Sequence, residues 1–180
     1  MPSALLHTDR LVLTPWLGTA LDDALRVWTD PDVRRYLFDG RTIPPAEAEA
    51  LLAASQRDFD ERGYGIWGLT SRATGALCGF AGCRPWPDGP PELLYGLLPA
   101  WQGRGLATEA GAAVLAHVFE QLGHREVFAA TDPPNEASVR VMTRLGLAFD
   151  RRTEMHGLDT LVYRVSRERW RRLRAATDRP

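Results

Sequence analysis

Between Glu92 and Thr131 the chain spells strand, turn, helix and strand, and this run limits the fold more than any other. The apolar segment Leu93-Leu94-Tyr95-Gly96-Leu97-Leu98 reads as a strand, Glu92 to Leu98. Trp101-Gln102-Gly103-Arg104-Gly105-Leu106-Ala107-Thr108-Glu109-Ala110 then sets two glycines one residue apart at the mouth of a helix. That helix, about Gly103 to Leu122, carries Leu106, Ala110, Ala113, Val114, His117 and Val118 along one side and stops at Gly123. Glu126 to Thr131 is a second strand, and a strand–helix–strand crossover makes the two strands parallel neighbours if they pair. The first N–H groups of a helix have no intrahelical partner and sit at its positive end. Glycine lets that backbone approach an anion closely, so the turn predicts a phosphorylated cofactor held by main chain.

The flanking segments read as follows. Arg10 to Leu13 alternates as a first strand ended by Pro15. A helix spans Ala20 to Trp28 with Thr19 as N-cap, and Asp30-Pro31-Asp32 starts a short turn or helix through Tyr36. Pro44-Pro45 precedes a helix from about Ala46 to Arg62, with Leu51, Ala54 and its neighbour Ser55, and Phe59 as its apolar stripe and Gly63 at its end. Tyr64 to Thr70 and Ala76 to Arg84 form a hairpin; Pro85 to Pro91 is a loop. Asn135 to Leu145 is a helix with Val139, Met142 and Leu145 inward, capped by Gly146. Leu147 to Glu154 and Leu158 to Val165 form a closing hairpin around Gly157, and Ser166 to Ala175 a charged helix. The pattern is α+β: mostly antiparallel strands with one crossover.

A length of 180 residues fits one domain, 1–180, large enough for a real core. A net charge of −1 argues against a general nucleic-acid binder. All 22 basic residues are arginine, which excludes Schiff-base or P-loop lysine chemistry. Cys78 and Cys83, an odd separation apart in one strand, are expected on opposite faces and so not bridged. His7, His117, His124 and His156 show no metal spacing, so no metal is expected. No leader pattern or membrane-length apolar run is evident, and a cytoplasmic protein is expected.

The glycine turn alone is weak evidence. The dinucleotide fingerprint needs a third glycine where Thr108 stands, and the P-loop pattern fails for want of lysine. A second motif follows about thirty residues on: Asn135-Glu136-Ala137-Ser138, running on through Met142 to Gly146. With Gln102-Gly103-Arg104-Gly105-Leu106-Ala107 it resembles the GNAT N-acetyltransferase superfamily, in particular its RimJ/RimL-like, ribosomal-protein N-acetyltransferase branch. The resemblance runs over nearly the whole chain, through Thr8 to Leu13, Asp30 to Val33, Glu92 to Tyr95 and Leu161-Val162-Tyr163.

The resemblance implies a mixed, mostly antiparallel sheet with helices on both faces and a splayed parallel pair formed by Glu92–Leu98 and Glu126–Thr131. Acetyl-CoA is the implied acyl donor. Pantetheine would pair with backbone near Leu97 and Leu98, as an added strand does. The diphosphate would lie on N–H groups of Gln102, Gly103, Arg104, Gly105, Leu106 and Ala107, with Asn135 at the pantetheine or thioester end. The implied reaction is direct attack of a primary amine, on a small molecule or a protein N-terminus, on the thioester. Glu92 holds the position of a base acting through water. A backbone N–H of Leu97 or Leu98 would stabilise the oxyanion. Many superfamily members place a tyrosine acid where Met142 stands here, which leaves Ser138 as the candidate donor to the leaving thiolate. A homodimer through the late strands is also implied, with no membrane partner.

Plainer readings stand beside these. Asn135 can be only an N-cap with Ser138 on its first turn, Glu92 a solvated strand end, and Tyr95 and Trp101 packing. Trp28, Tyr36, Phe38 and Trp67 suit an acceptor pocket or a core. Arg164, Arg167, Arg169, Arg171, Arg172 and Arg174 suit an acidic partner or a solvated helix. A binding module without turnover is the alternative to an enzyme.

Overall fold

The computed structural model describes residues 5–87 and 89–177; Asp88, in the expected Pro85–Pro91 loop, lies outside them. Eight strands form one sheet: β1 (Leu6–His7), β2 (Leu11–Pro15), β3 (Ile66–Ser71), β4 (Leu77–Arg84), β5 (Glu92–Leu97), β6 (Glu126–Thr131), β7 (Ala148–Met155) and β8 (Leu158–Ser166). Their order is β1-β2-β3-β4-β5-β6-β8-β7. Every neighbouring pair is antiparallel except β5–β6, the pair joined by the crossover helix. The helices are α1 (Leu21–Trp28), α2 (Pro31–Leu37), α3 (Pro45–Arg62), α4 (Leu106–Ala116), α5 (Glu136–Arg144) and α6 (Arg167–Thr177). No helix among the described residues is long and apolar enough to cross a membrane.

Helices cover both faces because strand residues alternate between two cores. Leu11, Leu13, Trp67, Leu69, Leu93 and Leu97 pack with Leu106, Ala110 and Val114 of α4, Met142 of α5 and Leu145 at the end of α5. Phe80 and Leu98, on the other face, pack with Ala24, Val27, Trp28, Val33, Ala48 and Leu52 of α1 to α3.

Several local expectations shift. In α3 the buried residues are Ala48, Leu52 and Ser55, with Phe59 packed on the core; Ser55 and Phe59 meet the expectation, while Leu51 is exposed and Leu52 takes its place. Thr19 caps nothing: it sits in a short turn of 3₁₀ helix, and α1 starts after Ala20 without a side-chain cap. The expected helix to Leu122 ends as α at Ala116 and continues as a π turn, His117–Gln121. There His117 Nε2 hydrogen-bonds Gly63 O at 2.8 Å, satisfying the end of α3.

Cys78 and Cys83 do not lie on opposite faces. The β3–β4 register slips, Leu69 facing Gly79 but Thr70 facing Leu77, so Cys78 is an extra residue in β4. Such a bulge flips the alternation. Cys78, Ala81 and Cys83 therefore share one core and Leu77 and Phe80 the other. Both thiols are free and buried.

Candidate active site

The parallel pair opens into a cleft. β5 and β6 share one register point, Glu92 with Phe128, where Phe128 N–H donates to Pro91 O at 3.1 Å. Beyond it the strands diverge around a cavity of about 730 Å³. Of the expected residues, Leu97, Gln102, Gly103, Gly105, Leu106, Ala107, Asn135 and Ser138 line this cavity; Glu92, Leu98 and Arg104 do not.

Pairing parity explains Leu98. Its N–H donates to Cys78 O at 2.9 Å and its C=O accepts from Trp101 N–H at 2.9 Å. In an antiparallel ladder, bonded positions recur every second residue. Leu98, Gly96 and Leu94 thus turn toward β4, while Leu93, Tyr95 and Leu97 turn their N–H groups toward β6. The Leu98 N–H is already bonded to β4, whereas those of Tyr95 and Leu97 face the gap.

The turn at the cleft mouth follows the glycines. Gly103 and Gly105 have φ of 72° and 76°, the left-handed region that favours glycine. Gly105 is the N-cap of α4 and no side chain caps the helix, so the N–H groups of Leu106, Ala107 and Thr108 point into the cleft mouth. The Thr108 Oγ1 is buried without a partner. Gln102 serves differently from expectation: its N–H donates to Pro99 O, and its Nε2 donates to Leu97 O at 2.9 Å, tying the turn to β5. These donors, the positive helix end and the orphaned hydroxyl suit a diphosphate.

Behind the turn lies a clamp absent from the sequence reading. Glu109 accepts from Thr8 Oγ1 at 2.6 Å, from Arg10 N at 2.9 Å and from Arg10 Nε at 2.6 Å. Arg10 Nη1 also donates to Arg104 O at 2.9 Å. Burial raises the Glu109 carboxyl, but the hydrogen bonds from Thr8 and Arg10 outweigh it and hold the group below its usual range.

Asn135 caps α5, its Oδ1 accepting from Ser138 N–H at 3.2 Å, which leaves its Nδ2 for a ligand. Tyr95 reaches over from β5: its hydroxyl lies 2.9 Å from Ser138 Oγ and 3.1 Å from Ser138 O. Burial pushes the Tyr95 phenol up to about 12. The period of two along β5, which places Tyr95 beside Leu97, is the signal that singles it out. Met142 is fully buried in the core.

Glu92 is 3% exposed, and Arg84 Nε donates to its Oε2 at 2.5 Å. Asp32 and Tyr36 of α2 line the cavity, whereas Trp28 and Trp67 are core. Burial raises the Asp132 carboxyl, with Asp39 and Asp159 adding to the rise. Five of the six late arginines have partners within the chain: Arg164 with Glu126 and Asp150, Arg167 with Gly123 O, Arg169 with Gly146 O, Arg172 with Glu168 and Arg174 over the Trp170 ring. Among the described residues no three His, Cys, Asp or Glu side chains cluster as metal ligands.

Residues 10–148 match the model of an acetyltransferase (GNAT) domain. The chain is 28% identical, over 93% of its length and 78% of the relative's, to an FsC-acetyl coenzyme A-N(2)-transacetylase of Aspergillus fumigatus. It superposes on a protein described as a GnaT-family acetyltransferase from Bordetella pertussis with a TM-score of 0.77, at 30% identity, covering 89% of this chain and 98% of that one. The ribosomal-protein acetyltransferase RimL, solved in complex with coenzyme A, shares the fold: TM-score 0.76, 14% identity, 90% and 97% of the two chains.

Proposed function

The chain belongs to the GNAT acetyltransferase family, and on that premise we propose that it moves the acetyl group of acetyl-CoA to a primary amine, of a small molecule or a protein N-terminus, within the cleft between β5 and β6. One observation carries the reading: two parallel strands that touch at Glu92–Phe128 and then part above a glycine turn. Such a gap accepts an extended ligand as an added strand, and the turn below it accepts a diphosphate.

In this proposal the diphosphate lies on the N–H groups from Gly103 to Thr108, with the Thr108 hydroxyl as a further donor. The pantetheine amide pairs with Leu97, and Asn135 Nδ2 faces it from α5. The thioester oxygen meets the Tyr95 N–H, one step nearer the closed end of the gap. The amine lone pair attacks the thioester carbon, and the oxyanion gains that N–H as donor. The C–S bond then breaks with its electron pair on sulfur, and the ammonium proton is lost. That proton passes to water; Glu92 acts earlier, taking through water at Oε1 the proton of the arriving ammonium and so freeing its lone pair, since Oε2 is held by Arg84. The carboxylate of Asp32, which lines the cleft, suits a protonated amine on approach.

Steady-state thiol release from acetyl-CoA with a panel of amines and peptide N-termini tests the reading. Turnover with one class supports it. Tight acetyl-CoA binding with no turnover on any amine would make the chain a binding module instead.

A further inference from the structure

Resting on that reading, we infer that Tyr95 is a positioning residue for Ser138: its hydroxyl donates to Ser138 Oγ and so turns the serine proton toward the leaving sulfur. The two residues come from different elements. Tyr95 stands on β5 between Leu93 and Leu97, with its ring packed on the core beneath α4. Ser138 stands on the first turn of α5, its N–H held by Asn135 Oδ1. Their hydroxyls meet at 2.9 Å, and both residues line the cleft.

A serine hydroxyl has one proton and two lone pairs, and a phenol has one proton. Two arrangements satisfy the distances. In one, Tyr95 donates to Ser138 O at 3.1 Å and Ser138 donates to the phenol oxygen, closing the pair on itself. In the other, Tyr95 donates to Ser138 Oγ and the serine proton is free for a ligand. An anionic sulfur in the cleft selects the second, because it gains a donor that the first withholds. A chain of two hydroxyls also polarises its terminal donor. Ser138 is at the positive end of a nine-residue helix, where developing negative charge is favoured.

The chemistry is a hydrogen bond rather than a proton transfer. A phenol pushed up to about 12 remains neutral and donating across the working range. A thiolate whose conjugate acid has the usual thiol value of about 8.5 is too weak a base to strip such a pair. The thiolate therefore leaves as an anion solvated by Ser138 and takes its proton from water. This arrangement replaces the tyrosine acid that the buried Met142 cannot supply.

The test compares Tyr95→Phe, Ser138→Ala and the double variant by thiol release with the best amine of the panel, with thermal unfolding as a control. Phenylalanine keeps the ring packing and removes only the hydroxyl. Each single variant is expected to lower kcat by about ten- to a hundredfold, with KM for acetyl-CoA within about twofold, and the double variant to be no slower than Ser138→Ala. A normal kcat in Tyr95→Phe beside a slowed Ser138→Ala overturns the inference and leaves Ser138 in its role. A normal Ser138→Ala overturns both. Multiplicative losses in the double variant show two independent groups and overturn the coupling.

Discussion

Arg84 and Glu92 face each other across the antiparallel β4–β5 pair, and Arg84 Nε donates to Glu92 Oε2 at 2.5 Å. The carboxylate is almost fully buried and the guanidinium half exposed. The same Glu92 supplies the backbone that meets Phe128. The charged pair thus braces the strand at the point where the cleft begins.

Glu92→Gln is expected to lower turnover by at least about tenfold. The deficit is largest at the acid end of the pH profile, where the amine is mostly protonated and most in need of a base. A profile parallel to that of the unmodified protein would assign Glu92 to bracing alone.

Arg84→Ala leaves the buried carboxylate without its partner. Unfolding in denaturant should show a loss of about 1–3 kcal/mol. The double variant with Glu92→Gln should regain part of it, because no charge then remains buried.

Gly105→Val is expected to weaken acetyl-CoA binding by a hundredfold or more, measured by calorimetry. A Cβ there meets only Arg10 Nη2, at 3.6 Å, so space is not the obstacle. The cost is the left-handed backbone, about 1–2 kcal/mol for a residue with a side chain, and a branched group over the N–H cradle. The melting temperature should fall by only a few degrees.

Glu109 is held below its usual carboxyl range. Its contribution is therefore present above the unfolded value of 4.5 and lost as pH falls through the lower folded value. Acetyl-CoA affinity should decline in that acid window as the Thr8–Arg10–Glu109 clamp lets go of the turn. Glu109→Gln should show weaker binding at neutral pH and a flatter acid limb; an unchanged limb would detach the clamp from the site.

Met142→Tyr should not restore a proton donor. The position is fully buried, and a larger side chain there overpacks the core at about 1–3 kcal/mol. Unfolding and turnover measured together check both halves of the expectation.

The turn from Gln102 to Ala107 was readable in advance because glycine spacing encodes left-handed backbone directly. The strand–helix–strand crossover and the mixed sheet followed from apolar periodicity. What escaped was set by partners far along the chain. Leu98 turns toward β4 because of its bond to Cys78, and the bulge at Cys78 also puts both thiols in one core. Tyr95 and Ser138 are 43 residues apart, and Thr8 and Glu109 are 101 apart. No local pattern marks such pairs. The two-residue strand β1 is too short to carry a period.

The single shared register point between β5 and β6 has a consequence for motion. Strands β1 to β5 and strands β6, β8 and β7 form two hydrogen-bonded ladders with one common rung. Few backbone hydrogen bonds join them along the gap, so their amides are expected to exchange with solvent as two separate families. A ligand laid between them acts as a splint: it slows exchange at Tyr95, at Leu97 and along β6, and leaves β2, β3 and β4 as they were.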